Sequence, residues 1–511
     1  MLNFTPIFRS ALHRMVPSEP MTARRTRHCQ QHQWEWLMAN GRHTLYGQKH
    51  RFADTDSYEK FAAWVPVVEY PAMRDYIMRM VDGEKDILWR GVTRRFAQSS
   101  GTSDGKSKYI PLTEDSLRRC HYHGSTAVVA NYMNLYPDSR IFSGKAFILG
   151  GSYGNALNLK PGVKVGDLSA HLIDGINPLV NLFRVPSKRT ALIENWTEKL
   201  PRLVEESLHA DVTNISGVPS WFMTVIKEVI RRAGATTIHD VWPNLEVFFH
   251  GGISFEPYRR EYALLTDPSR MRYLETYNAS EGFFAVQTTH DPSEGMELLM
   301  ENGTFYEFIP LESIDDPHPR AIRSWEVEPG KIYALAITSC NGLWRYLIGD
   351  TVKVLSTEPV RIAIAGRTRH FINAFGEELM VFNADEALRR TAEKTGCHVV
   401  NYSACPVFAQ GGHRGCHQWL IEFSTPPDDI ATFAAELDKA LAEVNSDYQA
   451  KRAGNIFLDP PLITVAQPGV FDRWLASTGK LGGQRKVPRL SNDRTIMDAM
   501  LKMNNQSPNT I

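Results

Sequence analysis

Cysteine is scarce in this chain: six residues in 511 (Cys29, Cys120, Cys340, Cys397, Cys405 and Cys416), with no regular spacing. That scarcity argues against a disulfide framework and points to a reducing compartment, the cytoplasm. A surplus of charge of either sign is also absent, because 57 Lys and Arg balance 57 Asp and Glu. No strongly basic field therefore favours nucleic acid, and no acidic tail appears. No uninterrupted apolar run approaches the length of a bilayer span, so no membrane is expected as a partner. Repeats and low-complexity segments are missing too. What is present is a composition near globular averages, 43% hydrophobic and 22% charged. At this length more than one domain is expected. The first 27 residues hold Arg9, Arg14, Arg24, Arg25 and Arg27 against only Glu19. A transit peptide can look like this, although a frayed basic terminus is the commoner cause.

Helical patterns with aromatic anchors (Trp34, Trp36, Phe61, Trp64) occupy residues from about 30 to 90. Thr113 reads as an N-cap, with Glu114 and Asp115 in the first turn behind it. Ala146-Phe147-Ile148-Leu149 and Leu245 to His250 read as strands running into paired glycines. Helices are expected over 190–209 and 218–233. From Arg272 to Val354 the chain becomes strand-rich, with Thr304 to Ile309 and Lys331 to Thr338 the clearest runs. Alternating helices and strands followed by a strand cluster indicate an α/β domain with a mixed sheet or barrel appended. A boundary falls near Arg367 to Phe371. Beyond it, a helix at 381–395, strands near 397–404 and 416–424 and a helix near 428–445 make an αββα-like tail.

Three segments carry chemistry. Ser99-Ser100-Gly101-Thr102-Ser103-Asp104-Gly105-Lys106-Ser107-Lys108 follows a strand-like run. Freed backbone N–H groups, hydroxyls and ammonium charges are what a polyphosphate requires. The segment is one residue short of a Walker A loop, which turns the expectation away from phosphoryl transfer. An exposed glycine-serine turn with solvated lysines is the plain alternative. Tyr277-Asn278-Ala279-Ser280-Glu281-Gly282 ends a strand with a carboxylate that can hold Mg2+ against substrate phosphates, or simply cap a turn. Gly342-Leu343-Trp344-Arg345-Tyr346-Leu347-Ile348-Gly349-Asp350 offers an acid to a ribose, or an ordinary Gly-Asp β-turn.

Taken together, these segments resemble the signature motifs of the Gretchen Hagen family of auxin-responsive acyl acid–amido synthetases, in a bacterial-type variant. That family belongs to the adenylate-forming superfamily. The resemblance starts at Trp36-Leu37, passes through Thr44-Leu45-Tyr46-Gly47 and His50, and ends in three segments of the tail. These are Val444-Asn445-Ser446-Asp447-Tyr448, Gln467-Pro468-Gly469-Val470-Phe471 and Gly483-Gln484-Arg485-Lys486-Val487-Pro488-Arg489. It implies an α/β fold. Residues 1–367 would form a large adenylation domain with mixed sheets and a β-barrel-like subdomain, and 368–511 a small mobile α+β domain. It implies an ATP- and Mg2+-dependent ligase that adenylates a small carboxylic acid and passes the acyl group to an amino acid. No nucleic acid, membrane or obligate protein partner is implied. Ser99, Ser100, Gly101, Thr102 and Ser103, with Lys106, would cradle the phosphates, Thr102 also being counted as catalytic. Thr276, Tyr277, Ala279 and Ser280 would line the nucleotide pocket, and Glu281 would meet the metal. Asp350 would hold the ribose with help from Arg367, Phe371 would touch adenine, and Lys486 would reach the acyl phosphate. A coenzyme A acceptor and a non-catalytic nucleotide-binding protein remain as alternatives.

The chain departs from the plant hinge, since Gly366-Arg367-Thr368-Arg369-His370-Phe371 leads into Ala374-Phe375-Gly376-Glu377-Glu378. Arg119, His121 and Tyr122 are candidates for the acyl pocket, with ordinary helix packing as the alternative. Gly150-Gly151-Ser152-Tyr153-Gly154 fits a hydrolase nucleophile elbow, yet the residues after it look poorly helical. His398, Cys405, His413, Cys416 and His417 match no common zinc spacing and are expected to be buried thiols and loop histidines.

Overall fold

The helix Pro219–Ala233 shows how local sequence builds the first part of the molecule. Pro219 starts it, where a missing N–H costs nothing, and Gly234 stops it in the left-handed region at φ +64°. Between them Phe222, Val225, Ile226 and Val229 recur at helical spacing and are fully buried. They pack with Phe147, Val212, Ile215 and Phe248 of the neighbouring strands.

The computed structural model describes residues 3–16, 21–99, 108–155, 157, 159–178, 180–252, 255–367, 371–372, 379–407, 415–445, 448–449, 452, 458–478, 487–491 and 494–505. Contacts divide the chain into two units. The first comprises Met1–Ile348, Lys353–Ala363 and Gly482–Gln484; the second comprises Gly349–Val352, Ile364–Leu481 and Arg485–Ile511.

In chain order the strands of the first part are β1 (Arg95–Ser99), β2 (Lys108–Pro111), β3 (Lys145–Ile148), β4 (Lys164–Gly166) and β5 (Arg184–Val185). They continue with β6 (Val212–Gly217), β7 (Val247–Gly251), β8 (Arg272–Ala279), β9 (Gly282–Val286) and β10 (Met296–Leu298). β11 (Thr304–Pro310), β12 (Ile322–Arg323), β13 (Ile332–Ser339), β14 (Leu343–Thr357) and β15 (Val360–Arg367) complete the series. Strands β2-β1-β4 make a small sheet, and twelve others form one sheet in the order β12-β11-β13-β14-β15-β10-β9-β8-β7-β6-β3-β5. The strands β5, β3, β6, β7 and β8 run parallel, whereas β8 to β10 are antiparallel. The strand-rich segment thus continues the parallel strands in a single mixed sheet.

Two expectations need correction. The helix expected over 190–209 is broken into Lys188–Ala191 and Trp196–Leu208. Asn195, a residue type favoured at helix starts, precedes the second piece and accepts from the Lys199 N–H through its carbonyl. Gly349-Asp350 is no β-turn: it lies inside β14, where Gly349 takes φ +91° without reversing the chain. The flanking Leu347, Ile348, Thr351 and Val352 keep the run extended.

A buried ion pair ties the sheet to the helical N-terminal region. Arg345, 4% exposed, meets the fully buried Glu307 of β11 at 2.9 Å. Its Nη1 also donates to the carbonyls of Ala62 and Val65, and Tyr58 donates its hydroxyl to Glu307 at 2.8 Å. Burial alone would lower the Arg345 pKa, but the Glu307 carboxylate outweighs it and raises it.

The second unit is built around β18 (His398–Val407), β19 (Cys416–Thr425) and β20 (Leu462–Val465), which follow the short pair β16 (Phe371–Ile372) and β17 (Leu379–Met380). β18 and β19 are antiparallel and β20 joins β19 in parallel. The helices Val381–Thr395 and Ile430–Val444 supply Ala384, Leu388, Phe433 and Leu437 to a core shared with Trp419 and Ile421. The helices Val470–Ser477 and Thr495–Asn504 enclose a second cluster with Leu420, Phe471 and Met500. Among the described residues no helix is long and apolar enough to cross a membrane.

Replacing Glu307 by Gln leaves the Arg345 charge buried without its counter-ion. We expect a loss of about 3–5 kcal/mol of stability, read as a shift of the chemical-denaturation midpoint of the first unit.

Candidate active site

β1 ends at Ser99, which faces Lys108 of β2 across an antiparallel ladder. The two ends of the segment 100–107 are therefore adjacent. Ser100, Gly101, Thr102, Ser103 and Lys106 lie outside the described residues, as does Lys486. Two residues beyond β2, Thr113 opens a helix as expected from sequence. Its Oγ1 accepts the Ser116 N–H at 3.0 Å and donates to the Cys340 carbonyl at 2.7 Å. Behind this cap, Leu117–His121 forms a π-helical turn before the helix Tyr122–Leu135. Such turns are uncommon and cluster at functional sites.

The second motif forms the β8–β9 hairpin. Ala279 pairs with Gly282, leaving Ser280 and Glu281 as the tip. Loop tips are ordinarily exposed, yet Ser280 is 5% and Glu281 8% exposed. Asn341 explains part of this, because its Nδ2 donates to the Glu281 carbonyl at 2.9 Å. Asn341 lies between β13 and β14, and Gly342 beside it takes φ +89°, with Leu88 where a side chain would go. Thr113, the β8–β9 tip and the β13–β14 tip are therefore joined by two hydrogen bonds. Among the described residues the buried Ser280 Oγ has no hydrogen-bond partner, a state that proteins keep mainly where function asks for it. Tyr277 is buried with its ring edge-on to Phe284 at 5.0 Å, and Thr276 donates to the His250 carbonyl at 3.1 Å. Ala279 is half-buried.

Asp350 is 7% exposed within β14. Arg367 closes β15 and follows Gly366 at φ +151°, and Phe371 opens β16. The side chains of Ser99, Arg367 and Phe371 are not described.

Models of three GH3 family domains match the chain: the N-terminal domain over 21–200, the central domain over 297–367 and the C-terminal domain over 382–495. The chain belongs to the GH3 family. It is 25% identical to the indole-3-acetic acid-amido synthetase GH3.8 of Oryza sativa subsp. indica, over 84% of this chain and 82% of that protein. Its fold is similar to that of GH3.15 acyl acid amido synthetase, with a TM-score of 0.80 at 17% identity, covering 99% of this chain and 97% of the other. A more distant likeness is to 2-hydroxyisobutyryl-CoA ligase in complex with 2-HIB-AMP. That TM-score is 0.62 at 15% identity, with 96% of this chain and 94% of the other covered.

The three acyl-pocket candidates of the sequence lie on the π-helical turn and the first residue of the helix behind it. Arg119 lies 4.3 Å over the Trp36 ring, Tyr122 donates to the Leu172 carbonyl, and His121 is fully buried. Burial pushes the His121 imidazole down to about 4, so it is neutral near pH 7. Among the described residues no helix follows Ser152 until Leu168, and a Cβ on Gly150 or Gly151 would collide with Ile173 or Asp167. Those glycines serve packing, which removes the hydrolase elbow. Among the described residues no group of three or more His, Cys, Asp or Glu side chains could hold a metal. Cys405 is buried as expected, but Cys416 is half-buried, and His398 and His417 lie within β18 and β19 rather than in loops. His413 lies outside the described residues. Sequence reasoning missed Asn341, although an Asn-Gly pair before a strand is a recognisable hairpin signal.

Asn341→Ala removes the donor to the Glu281 carbonyl. The expected cost is about 1–3 kcal/mol, measured as a lowered denaturation midpoint.

Proposed function

We propose that this chain is an ATP-dependent acyl acid–amido synthetase that adenylates a small organic carboxylic acid and transfers the acyl group to the amine of an amino acid. The observation that carries this reading is the pair of hydrogen bonds Thr113–Cys340 and Asn341–Glu281, which joins the helix start behind β2, the β8–β9 tip that bears Glu281 and the β13–β14 tip. The name of the rice relative, an amido synthetase, supports an amine as acceptor over coenzyme A. The free thiols of this chain suit a cytoplasmic enzyme.

In the first step the acid's carboxylate attacks the α-phosphate of ATP and pyrophosphate leaves. Ser99, Ser100, Gly101, Thr102, Ser103 and Lys106 hold the phosphates, and Thr276, Tyr277, Ala279 and Ser280 border the nucleotide. The unpartnered Ser280 Oγ suits that role. Asp350 accepts the ribose hydroxyls beside Arg367, and Phe371 flanks adenine. The carboxylate is already nucleophilic at neutral pH, so positioning takes the place of a general base. Lys486 stabilises negative charge as it develops on the reacting phosphate.

Glu281 fits a Mg2+ ion that keeps most of its waters, since such ions take one or two carboxylates and share phosphate oxygens. Bound there, the ion neutralises phosphate charge. In the second step the amine attacks the acyl carbonyl and AMP departs. Residues 1–367 carry the adenylation site, and 368–511 move about the Arg367 region between steps. Gly366, whose φ of +151° suits glycine, is a natural pivot.

A panel of carboxylates scored for ATP–pyrophosphate exchange tests this reading, followed by AMP release with amino acids or coenzyme A. Glu281→Ala should raise the Mg2+ requirement on the order of 10–100-fold, and Lys486→Ala should slow exchange about a hundredfold. Exchange with no acid, or full activity in Glu281→Ala, overturns it.

A further inference from the structure

Lys199 is a lysine with 3% of its surface exposed, on the helix Trp196–Leu208. Lysine is almost never buried this far without a specific reason. Its Nζ donates to the Gly150 carbonyl at 2.6 Å and leans on that of Gly151 at 3.4 Å. Three further polar groups of this stretch are held by neighbours. Gly151 N–H donates to the Ser169 Oγ at 2.8 Å, Ser152 N–H to the Asp167 carboxylate at 2.8 Å, and Asp167 N–H to the Ser152 carbonyl at 2.8 Å.

The place of this clamp gives it meaning. β3 lies between β5 and β6, so the chain leaves β3 to one side and returns to the other. In open parallel sheets the crevice beyond the carboxyl ends of such strands is where ligands bind. Gly150 to Ser152 follow the carboxyl end of β3, and Leu149 N–H donates to the Ser216 carbonyl of β6.

We propose that Lys199 is a positioning residue, whose ammonium fixes the Gly150–Ser152 wall of the crevice that receives the carboxylic acid. This rests on the adenylating function proposed above. Stability does not explain the charge. Burial outweighs the attraction of Asp167 and pulls the lysine down to about 8, so the ammonium form is held at a cost to folding. Ser152 has no catalytic part in this arrangement; its Oγ accepts the Gly154 N–H.

Full-length wild type, Lys199→Met, Lys199→Arg and Ser169→Ala decide the matter by hydrogen–deuterium exchange over residues 149–154, with melting curves as the folding control. Faster exchange in Lys199→Met, a smaller increase in Ser169→Ala and recovery in Lys199→Arg support the clamp. Ser169→Ala, which removes the Gly151 partner alone, serves the same comparison if Lys199→Met does not fold. With an acid found in the exchange panel, Lys199→Met should raise KM for that acid on the order of tenfold and leave KM for ATP unchanged. Unchanged deuterium uptake, or equal rises in both KM values, overturns the proposal. If wild type activates no acid, the adenylating function fails, and the uptake comparison still decides whether Lys199 holds the wall.

Discussion

The Arg345–Glu307 pair is the constraint on which the first unit depends. Two full charges removed from water are tolerable only when every strong donor and acceptor around them is used. Here the guanidinium binds Glu307 and the carbonyls of Ala62 and Val65, while Tyr58 donates its hydroxyl to the Glu307 Oε1 that Arg345 also binds. A local fault in the N-terminal helices or in β11 would leave a charge stranded. The pair thereby couples segments far apart in sequence, and it does so through Arg345, a non-glycine residue at φ +44°.

The candidate site is built on top of that frame by economy of backbone groups. Thr113 caps its own helix and also takes up the Cys340 carbonyl; Asn341, next in line, takes up the carbonyl of Glu281. With main-chain polar groups satisfied in this way, a hairpin tip can be buried without a large penalty. Glu281 is then a carboxylate on a fixed support, the arrangement an ion-binding or charge-stabilising role requires.

Much of the fold was legible where a physical signal was strong and local. The helix at 381–395, the strand from Thr304 and the Thr113 cap all emerged close to their observed places, because periodicity and capping chemistry act over a few residues. The tail was only partly legible: β20 and the helices Val470–Ser477 and Thr495–Asn504 escaped, being short and stabilised by packing. Gly349-Asp350 misled because the dipeptide favours turns, while sheet pairing around it keeps the chain straight. For the site, motif residues such as Glu281 stood out by their type and order. Asn341 and Lys199 did not. Each acts on a backbone carbonyl distant in sequence, and nothing in the local pattern records such a contact.

The strand order has a consequence for synthesis. β15 is the last strand of the twelve to emerge from a ribosome, yet it occupies an interior position between β14 and β10. Its partners Met296 and Glu297 must wait for Ile362 and Arg361. Until then the growing chain presents two half-sheets, one around β8 and one around β13, each with an open edge of unpaired N–H and C=O groups. A nascent GH3 chain of this order is thus most exposed to wrong strand pairing in the short interval before residue 360 appears, and the strand that ends that interval is the one that joins the halves.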